Sequence, residues 1–320
     1  MIEKYYSGVI EQIYNRIGKE TRNIVMANYS NDFSIENLEV IRRYQSNEDN
    51  VFFAYSEFSY NTLVGAYEPF LDIICNMHRR FIGGSFDDFQ KECGVYYLHR
   101  QVLNSYYETG ECFREETVLL NEVAYEQRRM TMAIADMLKK LSEVKPLMIV
   151  INRFQMASKS SIETIKYLID NPCANIGIVL GVNAIVKGTD STVEVWDRIV
   201  ESLEDRSAIY YIGSAGPLKN NVKTTNDDEL YITMNFEQSI QEASNIMEFL
   251  DFEQARRGCR IIEHKLKFED AWIDEKSLRR FYMVYARTSV LLGEMSKAIE
   301  LTNEYLSLIH ISEPTRLRRI

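Results

Sequence analysis

Apolar residues follow two patterns along the chain, and the first is a set of short uninterrupted runs. Five such runs lie at 24–27, 51–55, 147–151, 176–181 and 208–212. Uninterrupted runs of this length, rather than alternating ones, are typical of parallel strands whose two faces are both covered by helices. We therefore predict five buried parallel strands.

The second pattern has the helical period and lies between the runs. Residues 2–17 and 114–143 predict amphipathic helices, the longer stretch as one helix or a pair. Ser160 followed by Glu163 resembles a capping box at the start of another helix. Helices alternating with strands predict an α/β fold with a five-stranded parallel sheet over residues 1–215.

The chain beyond 235 has only the helical period. Residues 216–235 are polar and predict a linker. The phrases FLDFEQA and LLGEMSKA recur at an offset of 43 residues and predict stacked helical repeats over 236–305. A plain pair of helical hairpins is the alternative. Small residues at the predicted helix crossings are Ala243, Ala255, Ala286 and Ala298.

The last fifteen residues, 306–320, break this pattern. The first eleven, LSLIHISEPTR, resemble the direct translation of a sequencing adapter. The helical period is predicted to end at Tyr305, before Pro314 and a basic RLRR. We treat 306–320 as an artefact outside the fold. We expect the natural chain to continue differently after Tyr305.

Composition narrows the class of protein. The chain has 320 residues, 46% hydrophobic and 26% charged, which excludes wholesale disorder. Its net charge of −10 argues against a surface that coats nucleic acid. Five cysteines without close pairs, and histidines without ligand spacing, indicate reduced thiols and no metal site. Without a signal peptide or a membrane span, we expect a cytoplasmic protein.

The stretch from the third run to the fourth resembles a known family. PLMIVINRFQMASKSS is similar to the Walker B region of the STAND-type AAA ATPases, which include bacterial MalT- and LuxR-type regulators. Many of these proteins carry tetratricopeptide repeats after the ATPase domain. The resemblance covers roughly 1–215 and extends into the repeats. It implies a P-loop NTPase-like domain followed by tetratricopeptide-like repeats.

The motifs that the resemblance implies are degenerate. Ala27 stands for the first P-loop glycine, Asp32 for the second and Phe33 for the lysine, so only Ser34 matches. Asp32 would repel a phosphate, and Phe33 cannot neutralise one. In Walker B, Asn152 and Arg153 stand where the family has two acidic residues, and Asn183 matches the sensor-1 position. A neutral amide is a poor magnesium ligand, and a cation cannot act as a base.

Three functions follow as expectations. The first is a regulatory or scaffolding protein whose ATPase-like domain does not hydrolyse ATP and whose repeats bind a protein partner. The second is an active ATP-binding STAND switch, and the third is a repeat-type interaction module alone. We expect no catalytic residues, no metal and no cofactor, with binding of ATP and magnesium left open.

The resemblance also bears on partners. It implies a signalling or transcriptional role, with any DNA contact made through a C-terminal domain beyond this chain. An oligomer is compatible with the sequence, and no membrane partner is expected.

Overall fold

The structure of the chain is a computed structural model that describes residues 2–29, 38–46, 50–59, 63–115, 118–183, 193–213, 236–268 and 273–312. At 193–195, 268 and 308–312 it describes the backbone alone. The chain forms two compact units. The first unit comprises Met1–Tyr60, Tyr67–Arg100 and Arg128–Thr225, and the second comprises Asn61–Ala66, Gln101–Gln127 and Asn226–Ile320. The sequence had put 61–66 and 101–127 within the 1–215 domain.

The first unit is built on a five-stranded sheet in which every pairing is parallel. The strand order is β2-β3-β4-β1-β5. The strands are β1 (Ile24–Tyr29), β2 (Phe52–Glu57), β3 (Leu147–Asn152), β4 (Ile176–Asn183) and β5 (Ile209–Ile212). Each contains most of one predicted run, so the α/β prediction is confirmed at this level. β1, β3 and β4 extend one or two residues past their runs because Asn28, Asn152 and Asn183 are buried polar residues that continue the ladder.

In the described residues, eight helices lie between or before these strands in the chain, and most of α5 and the first residues of α6 belong to the second unit. Their bounds are α1 (Ile2–Arg16), α2 (Glu39–Ser46), α3 (Phe70–Met77), α4 (Phe86–Glu92), α5 (Tyr97–Thr109), α6 (Val123–Val144), α7 (Lys159–Asp170) and α8 (Val193–Glu204). A π-helical turn follows α3 at His78–Ile82, and a 3₁₀ turn follows β3 at Phe154–Met156. One core cluster joins α1 and α2 to one face of the sheet through Tyr6, Ile10, Tyr29, Ile41 and Phe53. This cluster excludes water from that face of β1.

Three details of the helix predictions are wrong. The long helix begins at Val123, not at residue 114. The N-cap of α7 is Ser158, whose Oγ accepts a hydrogen bond from the Ser161 amide (3.4 Å), not Ser160. Ser160 lies two residues further on, inside the helix, and its Oγ accepts from the Tyr67 backbone amide (3.0 Å). The last helix continues past Tyr305 to Ser312. The residues that follow Tyr305 are mostly unbranched or apolar, and Pro314, which cannot continue a helix, comes two residues after Ser312.

The second unit contains two helical hairpins, α9 (Phe236–Glu248) with α10 (Phe252–Phe268) and α11 (Glu275–Leu291) with α12 (Met295–Ser312). Each hairpin turns through three residues, and the middle residue is left-handed in both, with φ +68° at Leu250 and φ +78° at Gly293. The Asp251 amide donates to the Ile246 carbonyl and the Glu294 amide to the Ser289 carbonyl. The two hairpins are therefore equivalent at an offset of 43 residues.

Candidate functional site

The strand order identifies one end of the sheet as the place for a ligand. From β1 the chain crosses to β2 at the far edge, returns through β3 to β4, and then passes β1 to reach β5. The connections leaving β1 and β4 therefore run in opposite directions, which makes the β1/β4 junction the topological switch point. Ligands of open parallel sheets bind at the carboxyl ends of the strands beside such a point.

Three asparagines are buried at the carboxyl ends of neighbouring strands: Asn28 on β1, Asn183 on β4 and Asn152 on β3. Tyr29 pairs with Asn183 in the β1/β4 register. The Tyr29 hydroxyl donates to Asn152 Oδ1 over 2.5 Å. The side chain at the predicted Walker B position is thus a neutral amide bound to a tyrosine of β1.

Gly181 on β4 allows this arrangement. A Cβ atom at position 181 would lie 2.4 Å from the Tyr6 hydroxyl and 3.0 Å from Asn152 Oδ1. Any side chain there would force the Tyr6 or Asn152 side chain to move. Tyr6, Tyr29 and Asn152 therefore form a buried polar cluster over Gly181, which we call the tyrosine–asparagine cluster.

The phenol of Tyr6 is buried in this cluster and stays protonated. Desolvation raises the pKa of the Tyr6 phenol well above its ordinary value, and Tyr29, Tyr55 and Glu57 raise it further. The phenol is therefore protonated throughout the physiological range. A neutral hydroxyl and a neutral amide do not attract Mg²⁺ as a carboxylate would.

The charges near this cluster balance each other. Arg153 follows β3 in a left-handed conformation (φ +54°). Its Nη1 lies 3.0 Å from Oε1 of Glu57, the last residue of β2. The Tyr55 hydroxyl donates to Glu57 Oε2 over 2.5 Å. Both members of the ion pair are about four-fifths buried.

The structure brings some of the predicted site residues together and leaves others aside. Asn152, Arg153 and Asn183 lie at the carboxyl end of the sheet. Gln155 Oε1 accepts a hydrogen bond from the backbone amide of Asn183 (3.3 Å) and so links the turn after β3 to the end of β4. Ala27 is buried inside β1 and not in the connection after it. Asp32, Phe33 and Ser34 lie outside the described residues.

Sequence reasoning missed most of this site: Tyr6, Asn28, Tyr29, Tyr55, Glu57, Gln155 and Gly181. Two signals were available in the sequence. Glu57 follows the second apolar run, as Asn152 follows the third, and residues after parallel strands meet at one edge. A glycine inside an apolar run, as at Gly181, indicates close approach of another group.

A cavity of about 200 Å³ lies at the opposite edge, where β1 and β5 begin. Arg16, Arg22 and Arg206 line it, together with the last residues of α7. Arg206 donates to the Ile169 carbonyl (2.6 Å). Helices α1, α7 and α8 end beside the cavity, and helix C-termini carry partial negative charge that arginines balance. The arginines thus have a structural explanation here.

The predicted repeat-packing alanines differ in burial. Ala243, Ala255 and Ala298 are buried, as helix crossings require. Ala286 is partly exposed. Ala286 is the equivalent of Ala243 at the 43-residue offset, so the two positions differ in burial.

Comparison with known proteins adds no family to this description. No protein-family model matches the chain. No curated protein matches it significantly. Among the described residues, no three His, Cys, Asp or Glu side chains are grouped to hold a metal ion. None of the described helices is long and apolar enough to cross a membrane.

Proposed function

We propose that this chain is a regulatory or scaffolding protein. Its first unit is a P-loop NTPase-like domain that does not hydrolyse ATP, and its helical hairpins are tetratricopeptide-like repeats that bind protein. The proposal rests on the resemblance in sequence and on the parallel sheet with its switch point between β1 and β4. It does not require any catalytic residue.

One observation carries the loss of hydrolysis. The two Walker B positions are held by internal partners, Asn152 by the Tyr29 hydroxyl and Arg153 by the Glu57 carboxylate. Phosphoryl transfer depends on a bound metal and an oriented water. Asn152 and Arg153 supply neither a carboxylate for the metal nor a base for the water. Their groups stabilise the fold in place of a ligand.

The test is nucleotide binding and turnover by the full chain. Thermal unfolding is followed with ATP or ADP, with and without Mg²⁺, and phosphate release is measured in parallel. We expect no Mg²⁺-dependent turnover. Turnover that requires Mg²⁺ and disappears in Ser34→Ala would support the active STAND switch instead. Turnover that survives Ser34→Ala indicates a contaminating ATPase.

Charge reversal separates a structural role of Arg153 from a catalytic one. Arg153→Glu sets a carboxylate against Glu57 and should lower stability by about 1–3 kcal/mol. Adding Glu57→Arg restores opposite charges and should recover part of the loss, as measured by urea unfolding. The control is Lys166→Glu, which reverses a more exposed i,i+4 pair with Asp170 and should cost less. No recovery in the double variant would contradict a structural ion pair.

A further inference from the structure

A segment of the chain without helix or strand lies on the first helices of the two hairpins. The segment is 110–114, which follows α5 and belongs to the second unit, as do α9 and α11. It opens the connection 110–122 between α5 and α6. Connections longer than about 12 residues are uncommon in compact units, and they are usually functional. We call 110–114 the resident segment.

Asn245 on α9 binds the main chain of the resident segment at two points. Its Nδ2 donates to the Gly110 carbonyl (3.0 Å), and its Oδ1 accepts from the Cys112 backbone amide (2.9 Å). Gln241, one turn earlier on the same face of α9, donates to the same Oδ1 (2.8 Å) and so fixes the orientation of the amide group. Main-chain hydrogen bonds are available to any peptide, whereas side-chain contacts give specificity. Asn245 can therefore bind the main chain of another peptide in the same way.

Two charged side chains of the resident segment face groups of opposite charge on α9 and α11. Glu111 Oε2 lies 3.6 Å from Arg280 Nη2, at the solvent-exposed side of the contact. Arg114 is buried, and its Nη2 donates to the Glu248 carbonyl (3.0 Å). The Glu248 carboxylate, which is also buried and pairs with Arg287 (2.7 Å), attracts the Arg114 guanidinium. The surface thus favours a peptide with an acidic residue and, three residues later, an arginine.

The resident segment leaves its buried arginine incompletely paired. Arg114 is 6% exposed, yet its Nε and Nη1 have no hydrogen-bond partner among the described residues. Burial lowers the pKa of this guanidinium, because water no longer solvates its charge. Buried donors without partners cost free energy, so this part of the contact opposes docking of the resident segment. Phe113, which is 62% exposed, adds little apolar burial to offset that cost.

We propose that α9 and α11 form a peptide-binding surface, which the resident segment occupies until a partner peptide of the same chemistry replaces it. The partner contributes main chain to Asn245, an acidic side chain to Arg280 and an arginine to the buried position beside Glu248. The inference rests on the proposed function of the hairpins as protein-binding repeats. The resident segment is then an internal competitor. Because a linked segment acts at an effective concentration of the order of 1 mM, it excludes peptides that bind weakly.

Binding of a labelled peptide to the full chain tests the proposal. The peptide has the sequence of residues 109–115, and its fluorescence polarisation is measured under reducing conditions. Arg114→Ala removes the buried anchor of the resident segment, so this variant should bind the peptide at least about tenfold more tightly than the unaltered chain. Adding Asn245→Ala should abolish that binding. A peptide with alanine in place of its arginine should bind at least about tenfold more weakly.

A second variant weakens the resident segment without altering a buried residue. Glu111→Lys sets a cation against Arg280 at a half-exposed position, so it should raise the affinity for the peptide about two- to fivefold. The matched control is Glu300→Lys, which reverses a similarly exposed carboxylate paired with Lys297 (2.8 Å) on α12. Glu300→Lys should leave peptide binding unchanged. Circular dichroism and thermal melting verify that each variant folds.

Three results would overturn the proposal. If the folded Arg114→Ala and Glu111→Lys chains bind the peptide no better than the unaltered chain, the resident segment is a fixed part of the second unit. If binding survives Asn245→Ala, the peptide binds elsewhere. If a scrambled peptide binds as tightly, the hairpins hold peptides without this specificity, which leaves the proposed function intact and removes only this inference. Turnover of ATP is measured separately, by phosphate release, so the two proposals fail independently.

Discussion

At the scale of single residues, the carboxyl end of this sheet pairs several buried polar groups within the fold, whereas Asn152 Nδ2 and Gln155 Nε2 have no hydrogen-bond partner among the described residues. Asn152 accepts from Tyr29, and Glu57 pairs with Arg153. These partners come from β1, β2 and β3, which are far apart in the chain. Neither the partners nor the role of Gly181 between them follows from a motif, because a motif reports residues that are neighbours in sequence.

Gly181→Ala tests the tyrosine–asparagine cluster. The added methyl group overlaps the Tyr6 hydroxyl, so we expect a loss of about 1–3 kcal/mol in urea unfolding. In a Tyr6→Phe background the loss should be smaller, because the overlapping oxygen is absent. Gly8→Ala is the control, since nothing lies within 4 Å of its added Cβ in helix α1. Gly8→Ala should stabilise the folded protein by about 0.5–1 kcal/mol. Equal effects at the two glycines would contradict the packing described.

His78 makes stability depend on pH. Burial lowers the pKa of this imidazole below its ordinary 6.5, and Arg79 lowers it further. Below pH 6.5 the unfolded chain binds a proton that the folded protein excludes. Stability should therefore fall as pH decreases from about 6.5, by at most about 1.4 kcal/mol per pH unit, and level off below the folded pKa.

His78→Gln should flatten that slope between pH 7 and pH 5, as measured by urea unfolding at each pH. His264→Gln, at an exposed histidine, is the control and should retain it. A slope that is the same in His78→Gln and in the unaltered chain would show that another group is responsible.

At the scale of elements, the pattern of apolar residues was sufficient to predict the strands and the repeated helical hairpins. The five runs and the 43-residue offset correspond to the five strands and the two hairpins. Helix ends were less predictable, since Ser158 and Ser160 are both good N-cap residues in sequence. Only the tertiary contact of Ser160 with the Tyr67 amide separates them. Short helices such as α3 and α4 were missed because their few residues define no clear period.

Gly293 tests the hairpin turn. Its φ of +78° is costly for a side chain, and open space surrounds it, so Gly293→Ala changes conformational energy without a clash. We expect Gly293→Ala to lower stability by about 1–2 kcal/mol, and Gly293→Asn by less, because asparagine tolerates the left-handed region. Urea unfolding of both variants provides the comparison. An alanine as stable as the asparagine would contradict the left-handed turn.

At the scale of the whole molecule, the acidic charge limits the partners. A net charge of −10 repels the phosphates of a duplex, and affinity for DNA derives largely from cations that neutralise them. We expect no binding of this chain to a short random duplex at about 0.15 M salt in a mobility-shift assay. Binding that weakens steeply as salt increases would contradict this prediction and would indicate a basic surface on the chain.

The sequence by itself determined the kinds of elements and their order. Burial of apolar side chains imposes a period, and that period is readable in one dimension. The tertiary structure decided which strand neighbours which, which asparagine meets which tyrosine, and which face of a repeated hairpin stays uncovered. Those outcomes depend on contacts between residues far apart in the chain. Equivalent apolar positions of the two hairpins therefore differ in burial: Ile240, Met247 and Phe252 are buried, whereas Met283, Val290 and Met295 are exposed.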